Sequence, residues 1–131
     1  MELRGNLSLT RDAFSLVPLI IGDNATSPNN GLSLRNSGGS SMRLEIRKLI
    51  AGSTTLLYTT TTDTTKVAIK WNGSSCDVFV NGTKQVSASL FTTTNMDFLV
   101  GSGVDVPKFI QAMALYPSPL SDTDCTTITT L

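Results

Sequence analysis

The chain has 131 residues, ten basic and ten acidic, with no histidine and a net charge of zero. That length suits one domain, residues 1–131, with a real core, and a hydrophobic content of 40% is far above that of a disordered chain. Balanced charge offers no basic excess for nucleic acid or an anionic membrane, the missing histidine excludes Ser-His-Asp catalysis, and no apolar run approaches membrane-spanning length.

Taken in order, Gly5 to Thr10 alternates around Leu7 and Leu9 and predicts a first strand. Ala13 to Ile21 is apolar but contains Pro18, which cannot donate to a ladder, so an edge strand or two short pieces are expected there. Gly22 to Asn30 is a loop by composition. Leu32 and Leu34 begin another strand, and Asn36 to Ser41 turns the chain. Met42, Leu44 and Ile46 then alternate with Arg43, Glu45 and Arg47, giving one apolar and one wet face. Ala51-Gly52-Ser53 closes a hairpin with Leu56-Leu57-Tyr58. The threonine-rich run from Thr59 to Thr65 reads as a solvated strand end and turn.

The strongest local signal is the stretch from Thr65 to Val86. Val67, Ile69 and Trp71 share one face of a strand; Lys66, Ala68 and Lys70 share the other. Asn72-Gly73 opens a longer turn, and Cys76, Val78 and Val80 repeat the period of two. Asn81-Gly82 predicts a type I′ turn into a third strand, because both central residues there take positive φ. Trp71 is in phase with the core, although an indole could also stack on a sugar. Asp97 to Val100 is a short strand. Phe109 to Tyr116 is apolar on both sides and predicts a central strand covered on both faces. After Pro117-Ser118-Pro119, Ser121-Asp122-Thr123-Asp124 reads as a helix N-cap with an acidic first turn, and Cys125, Ile128 and Leu131 mark one face of a short helix. Cys76 and Cys125 form no metal-binding spacing and are expected to be free, buried thiols.

About ten short strands at intervals of about 8–12 residues, with turns between, predict an all-β sandwich or barrel. Four pieces carry a resemblance: Val67 to Gly73, Asp77 to Gly82, Phe98 to Gly101, and Phe109 to Ser121 with its Tyr-Pro-x-x-Leu-Ser ending. Together they resemble the second half of a laminin-G-like, concanavalin A-like lectin/glucanase domain, with modules on tailed-bacteriophage virion proteins such as tail fibres the nearest in wording. The resemblance implies an antiparallel β-sandwich of jelly-roll type with one short C-terminal helical turn. It implies a non-catalytic module on the virion surface, outside the cell, that attaches to host-surface glycan; the alternative is a decoration or assembly module that contacts only other virion proteins. The chain is shorter than typical members, which leaves an edge such as Val17 to Ile21 to be covered by a neighbour. A homo-oligomer is therefore expected, a trimer if the module sits on a fibre.

The glucanase branch carries several acids on one strand, and glycoside hydrolysis needs two facing carboxylates. Glu2 and Glu45 are the only glutamates, and Glu45 lies between Arg43 and Arg47 with no acid two or four residues away, so no enzyme is expected. Some laminin-G-like domains hold calcium through loop oxygens; Asp23, Asn24, Asp63, Asp97 and Asp105 could supply them, but their spacing fits ordinary turn chemistry, and no cofactor is expected. Four Asn-x-Ser/Thr sequons start at Asn6, Asn24, Asn72 and Asn81; two are Asn-Gly turns, which account for them without glycosylation. Arg, Glu and Asn side chains hydrogen-bond sugar hydroxyls well. The candidate carbohydrate contacts are therefore Arg43, Glu45 and Arg47 on the wet strand face, with Asn36 and Asn95 in nearby loops. The same side chains serve equally to keep the sheet soluble.

Overall fold

A computed structural model describes residues 2–5, 17–23, 29–36, 43–61, 65–72, 74–90, 97–102, 112–114 and 116–131. The elements are β1 (Glu2–Gly5), β2 (Val17–Gly22), β3 (Gly31–Asn36), β4 (Leu44–Ile50), β5 (Ser53–Thr59), β6 (Thr65–Asn72), β7 (Ser75–Val80), β8 (Thr83–Ser89), β9 (Asp97–Ser102), β10 (Ala112–Ala114) and α1 (Asp122–Thr129). The strands form two antiparallel sheets. The first has the order β10-β1-β6-β7-β8 and the second β5-β4-β3-β2-β9.

One buried cluster draws on both sheets. Val67, Ile69, Cys76, Val78 and Val80 come from the first, and Leu32, Leu34, Leu44 and Ile46 from the second, with Leu90 beside them. The cross-strand pairs Val67↔Val80, Ile69↔Val78 and Leu34↔Ile46 set these residues in phase. The period of two in β3, β4, β6 and β7 therefore becomes a common core, and each fully buried aliphatic side chain contributes about 1.5–3 kcal/mol. Lys48 pairs with Leu32 and so stands in the same phase. Its ammonium escapes by donating to the carbonyl and hydroxyl oxygens of Ser89 at 2.8 and 3.3 Å, which ties β4 to the end of β8 across the two sheets.

The opposite face of the first sheet is covered too. Ala68 and Phe79, each 1% exposed, pack with Cys125 of α1, and Leu120 and Ile128 close over them. Ala68 shares its strand face with Lys66 and Lys70, as expected, but the helix makes that face a second small core. The Ser121 hydroxyl accepts from the Asp124 N–H at 3.1 Å and caps the helix. The helix ends at Thr129, so Leu131 lies beyond it and is 64% exposed; the buried residue of the last turn is Thr129. Its hydroxyl accepts from the Gly82 N–H at 3.1 Å and donates to the Cys125 carbonyl at 2.7 Å. The Asn81-Gly82 turn has φ values of 49° and 78°, as a type I′ hairpin requires. The β4–β5 hairpin uses the same backbone with Ala51 at 49° and Gly52 at 78°.

Several expectations are corrected. β2 lies between β3 and β9 and is not an edge. Pro18 is tolerated because the ladder to β3 begins at Leu19 and the register with β9 passes from Val17 to Leu19. β10 pairs only with β1 among the described residues and sits at a sheet edge, not at its centre. The first described strand is Glu2–Gly5, which overlaps the expected Gly5 to Thr10 strand only at Gly5. Thr60 is buried, because its N–H donates to the Leu44 carbonyl and its hydroxyl accepts from the Leu44 N–H, both at 2.9 Å. β6 ends at Asn72 and β7 begins at its register partner Ser75, so the connection is shorter than expected. The expectations for Asn6 to Thr10, Ala13 to Leu16, Ser37 to Met42, Thr62 to Thr64, Gly73, Phe109 to Gln111 and Leu115 lie outside the described residues.

Two outcomes follow from these contacts. Phe79→Ala opens the seam between β7 and α1 and should lower the unfolding free energy by about 3–5 kcal/mol in urea titrations. Ala51→Asn replaces a left-handed alanine by a residue that tolerates that conformation, and should raise stability by about 0.5–1 kcal/mol in the same assay.

Candidate functional site

The outward face of the second sheet carries the polar row. Ser33 and Arg35 stand on β3 out of phase with Leu32 and Leu34; Glu45 and Arg47 stand on β4 out of phase with Leu44 and Ile46. The register sets Arg35 against Glu45 and Ser33 against Arg47. Arg47 donates from Nε to Glu45 Oε2 at 2.8 Å, and its Nη2 lies 2.6 Å from the same oxygen. Both side chains are half-buried, 27% exposed for Arg47 and 13% for Glu45. They hold each other in place instead of reaching separately into solvent. Arg43 precedes β4 and is exposed. Arg35 was not foreseen, although the alternation about Leu32 and Leu34 was the signal for it. Its Nε is buried with no hydrogen-bond partner among the described residues, so one planar cation stands beside a carboxylate already taken by its neighbour. Thr59 pairs with Glu45 and Leu56 with Arg47 across a bulge in β5, which leaves Leu56 48% exposed at the margin of this face.

Of the other expected contacts, Asn36 pairs with Leu44 and so does not share the register of Glu45. Asn95 lies outside the described residues.

Of the acidic loop residues, Asp23 fastens its own loop. Asp23 accepts from the N–H groups of Asn29 and Asn30 at 2.9 and 3.1 Å and from the Asn30 amide at 3.0 Å. These bonds, led by the Asn30 N–H, hold its carboxyl below the usual value. The Asn30 side chain in turn accepts from the Ala51 N–H at 3.0 Å, so the loop is fastened to the β4–β5 turn. Asn24, Asp63 and Asp105 lie outside the described residues, and Asp97 is described only as a backbone position in β9. Among the described residues, no three His, Cys, Asp or Glu side chains gather as a metal would need.

A second charged group sits over Phe79 on the first sheet. Lys70 and Lys84 both pair with Asp77, at 3.2 and 3.1 Å, and both pair with Asp122 of α1, Lys84 at 3.1 Å. Their ammonium groups lie 6.0 and 5.7 Å from the Phe79 ring centre. The ring of charges fastens the first turn of α1 to β6, β7 and β8. Hydrogen bonds from Lys70 and Lys84 lower the Asp122 carboxyl; for Asp77, burial pushes upward but the bonds from Ser87, Lys84 and Lys70 together win. Both lysines are raised, Lys70 chiefly by Asp122 and Lys84 chiefly by Asp77. Burial pushes both free thiols, Cys76 and Cys125, upward, which leaves them poor nucleophiles.

A small cavity of about 90 Å³ opens beside β6. It is lined by Ile69, Lys70 and Trp71 on the strand, by the segment from Tyr116 to Leu120 and by Cys125. Trp71 packs on the shared core and is half-buried, so it serves the core and the cavity at once.

The charge ring carries its own test. Asp77 and Asp122 have lowered carboxyls in the fold, so their stabilisation is full above the ordinary value of 3.8 and is lost as pH falls through their lower folded values. Thermal melts of Asp122→Asn should show a shallower loss of stability below pH 3.8 than the parent, and a weaker dependence on salt.

Comparison of the chain with protein-family models, with curated proteins and with solved structures finds no match in any of the three.

Proposed function

We propose that this chain is a non-catalytic β-sandwich of jelly-roll type, resembling laminin-G-like and concanavalin A-like modules, that attaches a phage virion to glycan on the host surface. The observation that carries the reading is the outward face of the second sheet. Arg35, Glu45 and Arg47 form a half-buried polar row there beside the buried Ser33, with Arg43 exposed at its end and one buried guanidinium nitrogen without a partner among the described residues. Such a row offers forked donors and one carboxylate to the hydroxyls of a sugar, on strands held by the core beneath. The shared core supports the sandwich half of the proposal, since two antiparallel sheets contribute to one buried cluster. Glu45 is poorly suited to hydrolysis, because its carboxylate is held by Arg47. Attachment by weak single sites gains strength from several copies on one particle.

Leu56 favours a second reading. A 48% exposed leucine on edge strand β5, beside Arg47, suits contact with another virion protein. The oligomer first expected from an open Val17 to Ile21 edge loses that motive, since β2 is internal; the described edges able to pair with a neighbour are β8 and β10 of the first sheet and β5 and β9 of the second.

Host-cell or glycan-array binding by the folded Arg43→Ala/Arg47→Ala double variant tests the reading. Loss of at least tenfold in apparent affinity is expected, equivalent to about 1.4 kcal/mol. Unchanged binding removes this face; binding that disappears only with Leu56→Ser, and only toward virion proteins, selects the assembly role.

A further inference from the structure

The cavity beside β6 is distinct from the polar row and belongs to the other sheet. β1 is in register with β6 from Thr65 to Ala68. The next three residues of β6, Ile69 to Trp71, face the chain as it leaves β10, and that chain runs Tyr116-Pro117-Ser118-Pro119-Leu120. The two prolines fix φ along this segment and give it little freedom to fold into the gap. Pro117, Ser118 and Pro119 are exposed, while Trp71 and Tyr116 are half-buried. The cavity is thus open to solvent, walled by aromatic and proline rings, and edged by a hydroxyl at Ser118.

Size and charge narrow the guest. A single water needs about 10–15 Å³ on this measure, so 90 Å³ admits one small ring, not a helix or a long peptide. Lys70 brings the wall's only charge among the lining residues, and its ammonium is already paired with Asp77 and Asp122. Nothing in the lining calls for an anion. A ring with one apolar face for an aromatic wall and hydroxyls at its rim fits this chemistry.

We propose that this cavity is a second saccharide subsite, taking one neutral pyranose ring against Trp71 and Tyr116. The proposal rests on the glycan-attachment reading and adds to it a place and a ligand class. Trp71 is the chain's only tryptophan, so all indole emission comes from one residue that lines this cavity as well as the shared core.

The experiment is titration of the full chain with neutral methyl pyranosides, followed by Trp71 emission, alongside a glycan array. The expected result is a saturable emission change that Ser118→Tyr abolishes by filling the mouth, with its melting curve unaltered because Ser118 is exposed. Tyr116→Ala, if folded, should weaken binding by about tenfold. An emission change that persists in Ser118→Tyr overturns the proposal. So does emission that is silent to pyranosides while the array shows glycan bound equally by the parent and by Ser118→Tyr; the attachment reading then stands without this subsite. A response to a proline-rich peptide and none to pyranosides overturns the ligand class. No glycan bound in either assay overturns the subsite and the attachment reading together.

Discussion

The structure depends most on the register of β6, β7 and β8. A shift of one residue in a strand exchanges its two faces, and here both faces are committed. Val67, Ile69, Cys76, Val78 and Val80 fill the core shared by the sheets, while Ala68 and Phe79 fill the seam beneath α1. A slip would send Phe79 into a space shaped for valines and leave the helix nothing to rest on. The Asn81-Gly82 turn fixes this register from one end. Asn81 donates its N–H to the Lys66 carbonyl at 3.0 Å and accepts from the Lys66 N–H through its side chain at 2.9 Å. Gly82 is required twice, by its φ of 78° and because an added Cβ would stand 3.0 Å from Thr130 Oγ1. The turn is thereby seated on the C-terminal end of α1, where Thr129 takes its N–H. Hairpin and helix hold each other.

That arrangement decides which surfaces remain for binding. The outer face of the first sheet is occupied by α1, and the charges around it are closed on themselves: two lysines and two aspartates share their partners. Each such pair is worth little at an exposed site, so their use is to orient the helix rather than to glue it. The outer face of the second sheet has no such element among the described residues. Its polar row is internally paired at Glu45 and Arg47, while Arg35 Nε has no partner among the described residues. A buried donor without a partner costs about 1–3 kcal/mol, and a ligand oxygen is one way of recovering it.

The hairpins were legible because turn chemistry and period two agreed over the same residues. Asn81-Gly82 between two alternating runs specified both the turn and the face of every neighbour. Ser121 and the acids behind it announced the helix start in the same local way. The misreadings were non-local. Pro18 suggested an edge, yet β2 is internal, because a proline is harmless where the partner's ladder has not begun. Ala68 was on the correct face, but no local pattern says that a helix over 50 residues later will cover it. Thr129 outranked Leu131 as the buried residue because its hydroxyl serves the Gly82 N–H, a contact between segments 47 residues apart. At the candidate site the alternation located Glu45 and Arg47, but it could not show that they pair with each other, nor that Asn36 falls in register with Leu44.

The two candidate surfaces also differ in what holds them rigid. The polar row stands on β3 and β4, whose backbones are fixed on the other side by Leu32, Leu34, Leu44 and Ile46, so its geometry is set by the core and does not have to be formed by a ligand. The cavity has one such wall, β6, and one wall made of the connection from Tyr116 to Leu120. That connection is anchored at its far end by Leu120 against the Phe79 seam and by the Ser121 cap. Its fixity therefore derives from the helix, and the helix's from the β6–β7–β8 register. A ligand in the cavity would couple to helix docking, because it would bind the folded state and stabilise it in proportion to its occupancy. A ligand on the polar row would leave the helix seam untouched. The same fold thus offers one surface whose rigidity is built into a sheet and another whose rigidity rests on a single capped turn.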